Sequence, residues 1–202
     1  MFHLRLRNTL VGLTAAATLI FAFAAASFAK THSDPAFSNI KIKNFGKMDD
    51  RLYRGAQPKE EDYKDLASLG VKTVIDLTDS PTSYEKRSAE SVGMRYVNIP
   101  MSDSSYPKQE SIDAFLKLVN DPSTGVMFIH CAGGRHRTGV IGAIYRFNVN
   151  HWTYDQAYNE MKDYDFYTRF GHGDLKTFVE DYAQKMQSNS TAAAVTASSQ
   201  KN

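Results

Sequence analysis

Over residues 126–150 an apolar run of strand character gives way to a polar, glycine-rich stretch and then to a stretch of helical character. A short buried strand needs neighbouring strands, and the helix that follows must lie back across the resulting sheet, so this junction calls for a layered fold. The rest of the chain agrees. Strand patterns at residues 40–45, 52–54, 71–77, 95–99 and 126–130 alternate with helical patterns at 58–70, 84–92, 108–120, 138–150, 154–164 and 174–186. The fold class expected is α/β, a central and mainly parallel sheet flanked by helices, with functional groups beyond the carboxyl ends of the strands.

The polar stretch at the junction is His130-Cys131-Ala132-Gly133-Gly134-Arg135-His136-Arg137-Thr138-Gly139, and it holds the only cysteine of the chain. A thiol becomes strongly nucleophilic only when ionised, and helix amides and neighbouring cations lower its pKa. Both are at hand here. Arg137 can donate two parallel N–H bonds to phosphoryl oxygens, which a lysine cannot. Gly133 and Gly134 permit left-handed angles and close approach of main chain to an anion. Thr138 is placed to hydrogen-bond the sulfur, and Gly139 lets the helix pack closely behind. A lone cysteine ending an apolar strand is more often a small buried hydrophobe, but these neighbours reverse that reading. A nucleotide loop of the Gly-x4-Gly-Lys-Ser/Thr type is excluded by the missing lysine.

The run meets every fixed position of the His-Cys-x-x-Gly-x-x-Arg-Ser/Thr-Gly signature of the cysteine-based protein tyrosine and dual-specificity phosphatases. The stretch Leu52-Tyr53-Arg54-Gly55-Ala56-Gln57-Pro58 also resembles their atypical plant, fungal and bacterial branch. The similarity is strong at the loop and loose elsewhere between residues 45 and 182. It implies that Cys131 attacks phosphorus to form a cysteinyl-phosphate, that Arg137 binds the phosphoryl oxygens, and that an aspartate on another loop protonates the leaving oxygen. The substrate phosphate is expected on Ala132, Gly133, Gly134, Arg135, His136 and Arg137, with His130 and Thr138 in support. Asp103, after the strand that precedes the signature, is the expected acid, and Asp79 the reserve candidate.

Other residues are open to two readings. His130 is expected to orient the loop through hydrogen bonds. Arg135 and His136 add rim charge that suits substrates with more than one phosphate, or form a solvated pair. Arg54 either faces the pocket or sits in an internal ion pair. Tyr164, Phe166, Tyr167 and Phe170 read as core packing in preference to a pocket wall or lid. The six histidines show no metal-ligand spacing, and neither metal nor cofactor is expected.

Residues 1–29 carry Arg5 and Arg7, no acidic side chain, and an apolar stretch from Leu10 to about Ala26. They read as an export signal, the alternative being a retained membrane anchor. Without Arg5 and Arg7 the basic residues equal the 22 acidic ones, so no global field attracts nucleic acid. Residues 30–39 read as a linker, 40–186 as the phosphatase domain and 187–202 as a disordered tail. The partner expected is a phosphorylated protein or a small phosphate ester, an inositol polyphosphate or phospholipid headgroup among them, acted on by an exported monomer. A phosphate-binding module without turnover would need a broken signature. Thiol redox or sulfur transfer generally uses a second cysteine, and this chain has none.

Overall fold

In the computed structural model, residues 37–199 are described. The expected export signal and most of the linker lie outside them. Five strands form one sheet: β1 Gly46–Lys47, β2 Leu52–Ala56, β3 Val71–Asp76, β4 Arg95–Asn98 and β5 Val126–Cys131, in the spatial order β1-β2-β5-β3-β4. All neighbours pair in parallel except β1, which runs antiparallel to β2. β5 is the middle strand, with Ala56 opposite Cys131 on one side and Asp76 opposite His130 on the other.

Among the described residues six α-helices flank the sheet: α1 Asp62–Ser68, α2 Glu85–Ser91, α3 Gln109–Asn120, α4 His136–Val149, α5 Tyr154–Asp163 and α6 Gly173–Ser199. α5 begins with a capping box, in which Thr153 and Gln156 satisfy each other's backbone N–H. Strand alternation divides the core in two. Met127, Ile129 and Cys131 join Ile112, Phe115, Val140, Ile144 and Phe178 on the face covered by α3, α4 and α6. Phe128 joins Tyr53, Tyr63, Leu66, Val74 and Ala89 on the face covered by α1 and α2. α4 is enclosed by the sheet and three helices, so twelve consecutive residues from His136 to Phe147 are buried.

Two expectations need correction. Residues 40–45 form no strand, because Asn44 adopts φ 52°, which breaks an extended run; only Gly46–Lys47 pairs with β2. The stretch from residue 187, expected to be disordered, continues α6 to Ser199. Its alanines favour helix without requiring a buried face.

Candidate active site

The signature loop leaves the carboxyl end of β5 and closes on the first turn of α4. Cys131 points to the α4 face and is 4% exposed. Burial raises the thiol pKa, but the Thr138 hydroxyl and N–H, the Arg137 charge and the Gly133 N–H outweigh it, and the net shift is downward. The Thr138 hydroxyl is buried without a hydrogen-bond partner, so its proton is committed to no other group of the protein. The residue preceding α4, Arg135, supplies no side-chain cap, which leaves first-turn amides free for an anion.

The carbonyls of this loop are held away from the sulfur by distant residues. Asn44 Nδ2 donates to the Gly133 oxygen at 2.9 Å, and Arg54 Nη2 donates to the Gly134 oxygen at 2.9 Å. Anchoring the oxygens turns the intervening amides inward. Gly134 has φ 66°, and a Cβ there would fall 2.5 Å from Ala56 N and Gly55 C, so only glycine fits against β2. Arg54 is fully buried with its guanidinium 3.9 Å from the centre of the Tyr164 ring. It therefore braces the loop from beneath, which is neither of the two roles read from the sequence. Burial pushes its pKa down, opposed by Glu160, Tyr164 and Cys131.

Arg137 closes the ring of the loop. Its Nη1 is shared at 3.2 Å between Asp79 Oδ1 and the Met101 oxygen, while its Nε is buried without a partner. One edge of the guanidinium is thus held by protein, and the other keeps an unmet N–H. Unpaired buried donors are rare and costly in native proteins, and a phosphoryl oxygen would satisfy this one.

A pocket of about 210 Å³ opens above the sulfur, lined by Cys131, Ala132, Gly133, Arg135, His136, Arg137, Asp103, Tyr167 and His172. Asp103 lies on its wall. Asp79 does not; it pairs with Arg137 and lines the adjoining cavity with Met101 and Tyr106. His136 stacks on His172 with ring centres 3.6 Å apart. Burial, then His172 and Arg135, pushes its pKa down to about 4.

The aromatic group near residues 164–170 splits. Tyr164 and Phe166 are core, as expected, whereas Tyr167 lines the pocket and Phe170 is 84% exposed. Arg135 and Arg169 lie over the Tyr167 ring at 5.9 and 6.0 Å. Asn44 and His172 escaped the sequence reading: one sat in a stretch resembling a strand, the other among scattered histidines.

His130 does not hydrogen-bond the loop. As the residue before Cys131 on a strand it must face the opposite side of the sheet. There it stacks on Phe128, with Nε2 3.0 Å from Glu85 Oε2 and Nδ1 3.9 Å from Asp76 Oδ1. Burial works against the Glu85 carboxylate, yet His130, Tyr63 and Thr82 hold it below the usual range. Asp76, Glu85 and His130 are the one group of possible metal ligands within 4.8 Å of one another among the described residues. Their carboxylates already accept hydrogen bonds from Tyr63, Thr82, Thr78 and Tyr96. The two imidazole nitrogens face different acids, so the three do not converge on one point.

A low-pKa thiol ringed by inward N–H groups and a half-satisfied guanidinium defines a cysteine-dependent phosphatase site. A sequence profile of the tyrosine phosphatase family matches residues 39–200, and the chain belongs to that family. It is 28% identical over 152 residues to a probable tyrosine-protein phosphatase, DG1060, of Dictyostelium discoideum, covering 72% of this chain and 87% of that one. It is 29% identical over 132 residues to the dual specificity protein phosphatase TpbA of Pseudomonas aeruginosa, covering 65% of this chain but 56% of the relative. The crystal structure of P. aeruginosa TpbA superposes with a TM-score of 0.59 at 25% identity, covering 69% of this chain and 84% of that one. The Siw14 catalytic core shares the fold, with a TM-score of 0.59 at 22% identity over 74% and 93% of the two chains.

Proposed function

We propose that this protein is a metal-independent phosphomonoesterase that works through a cysteinyl-phosphate on Cys131. The observation that carries the reading is a buried thiol whose pKa is drawn down, against its burial, by Thr138, the Gly133 N–H and the Arg137 charge, at the foot of a pocket lined by the signature loop. The Cys131 thiolate attacks phosphorus in line, and the bond to the ester oxygen breaks. Asp103 gives its proton to that oxygen, and the alcohol leaves. Water then attacks the cysteinyl-phosphate while Asp103 takes back a proton, which releases inorganic phosphate and restores the thiolate. Throughout, the free edge of Arg137 and the inward amides hold the equatorial oxygens.

Phosphotyrosine and phosphoserine proteins or small phosphate esters are the substrates proposed. The cationic rim of Arg135 and Arg169 around Tyr167 favours a second reading, an inositol polyphosphate or phospholipid headgroup. One relative, at 27% identity over 125 residues, is named an inositol diphosphatase, DSP3 of Arabidopsis thaliana. Export to the periplasm or beyond the cell, as a monomer, is proposed from the basic and apolar pattern of residues 1–29; retention of that segment would anchor the enzyme to a membrane.

Cys131→Ser tests the mechanism: hydrolysis should vanish while vanadate binding remains measurable by calorimetry, and retained turnover overturns the proposal. A panel of phosphotyrosine peptide against inositol hexakisphosphate separates the two substrate readings.

A further inference from the structure

Residues 102–105 carry Asp103, yet they are weakly tied to the domain. The Ser102 hydroxyl accepts from the N–H groups of Ser104 and Ser105, which is internal to the loop. Among the described residues, the hydrogen bond that joins this segment to the rest of the chain runs between His172 Nδ1 and the Asp103 oxygen, at 2.6 Å. A carbonyl can only accept, so His172 Nδ1 must carry the proton. The same imidazole lies 3.6 Å from the His136 ring at an interplanar angle of 15°. His136 is in turn met edge-on by Tyr167 at 4.4 Å and by Phe166 at 5.4 Å. Gly171 packs beside Ser104, whose Cβ would lie 3.8 Å from an added methyl.

We propose that His172 is a positioning residue, one that latches the Asp103 loop to the signature loop across the pocket. Its stack on His136 fixes the imidazole against α4, and its N–H fixes the backbone of the residue whose carboxyl must reach the leaving oxygen. Proton transfer demands placement within hydrogen-bond reach, and a segment tied by one bond loses that placement when the bond is cut. The inference rests on Asp103 as the acid, and goes beyond it by assigning the group that aims it.

The test compares wild type, His172→Phe and His172→Gln on an alkyl phosphate, which needs a proton, and on dinitrophenyl phosphate, whose leaving group does not. Phenylalanine keeps a ring for stacking and removes the donor; glutamine keeps a donor. For the Phe variant, kcat/KM on the alkyl phosphate should fall by roughly thirtyfold, part of the 10²–10⁴ that an acid contributes, against about threefold on the activated ester. Glutamine should recover part of the alkyl activity. Asp103→Asn and the double variant Asp103→Asn/His172→Phe complete the set, and the double variant should be no slower on the alkyl phosphate than Asp103→Asn alone. Equal losses on both substrates, or indistinguishable Phe and Gln variants, overturn the latch while leaving Asp103 in place. If Asp103→Asn itself shows no leaving-group dependence, the acid assignment fails and the latch falls with it.

Discussion

Thr138→Val removes one oxygen and little else. The Thr138 hydroxyl is fully buried, has no hydrogen-bond partner, and is the leading influence holding the Cys131 thiol pKa down against its burial. Hydrogen bonds to charged groups are worth about 1.5–3 kcal/mol. At 1.36 kcal/mol per pKa unit this corresponds to a rise of roughly one to two units. The same hydroxyl should stabilise the sulfur as it leaves phosphorus, so hydrolysis of the intermediate should slow by about ten- to a hundredfold. Because the hydroxyl satisfies no other group, the nearly isosteric valine should change the melting temperature little. The pH dependence of iodoacetamide alkylation reads the thiol, and pre-steady-state kinetics read the second step, where a burst should become more pronounced. An unchanged alkylation midpoint, with folding intact, would falsify the role given to this hydroxyl.

Two further outcomes follow from the same geometry. Gly134→Ala combines φ 66° with a Cβ placed 2.5 Å from the β2 backbone, so it should destabilise the domain on the order of 1–3 kcal/mol. Calorimetry should then show a lower Tm together with weakened phosphate binding; a Tm equal to wild type would contradict the close approach. His136 titrates near 4 when folded, below its ordinary 6.5. The unfolded chain therefore binds more protons between those values, so stability from this group is complete above about 6.5 and is lost as pH falls toward 4. Discounted for solvent screening from the open pocket that His136 lines, the loss should be on the order of 1–2 kcal/mol. Denaturant melts of wild type and His136→Asn from pH 4 to 7 check it: the slope attributable to this residue should disappear in the variant.

The parts of the site readable in the sequence are those contiguous along the chain. Cys131, Gly134, Arg137 and Thr138 lie within one loop, where strand, turn and helix geometry follow from local residue types. The groups that hold the loop open were not readable. Asn44 and Arg54 reach it from 89 and 80 residues away, and what they anchor is a backbone carbonyl, which leaves no mark in residue type. Asn44 does carry one signal, since asparagine tolerates the positive φ that ends the apparent strand at residues 40–45. Tyr167 was open to two readings, since a cluster of aromatic residues looks the same whether it fills a core or walls a pocket, and His172 stood among scattered histidines with no pattern around it. The orientation of His130 is legible in the sequence against the expected role in the loop, because strand alternation places it and Cys131 on opposite faces of β5. Apart from the first strand, the sheet followed the hydrophobic periodicity, and the central strand β5 and the helix α4 behind it each lie within two residues of expectation.

The central chemical step is formation of a phosphorus–sulfur bond at Cys131. Rapid quenching of the protein with a ³²P-labelled aryl phosphate, followed by peptide mapping, measures it directly. The label should appear on the peptide holding Cys131, within one turnover, and should be absent from Cys131→Ser. Turnover with no protein-bound phosphate, or phosphate mapped to His130 or His136, would contradict it.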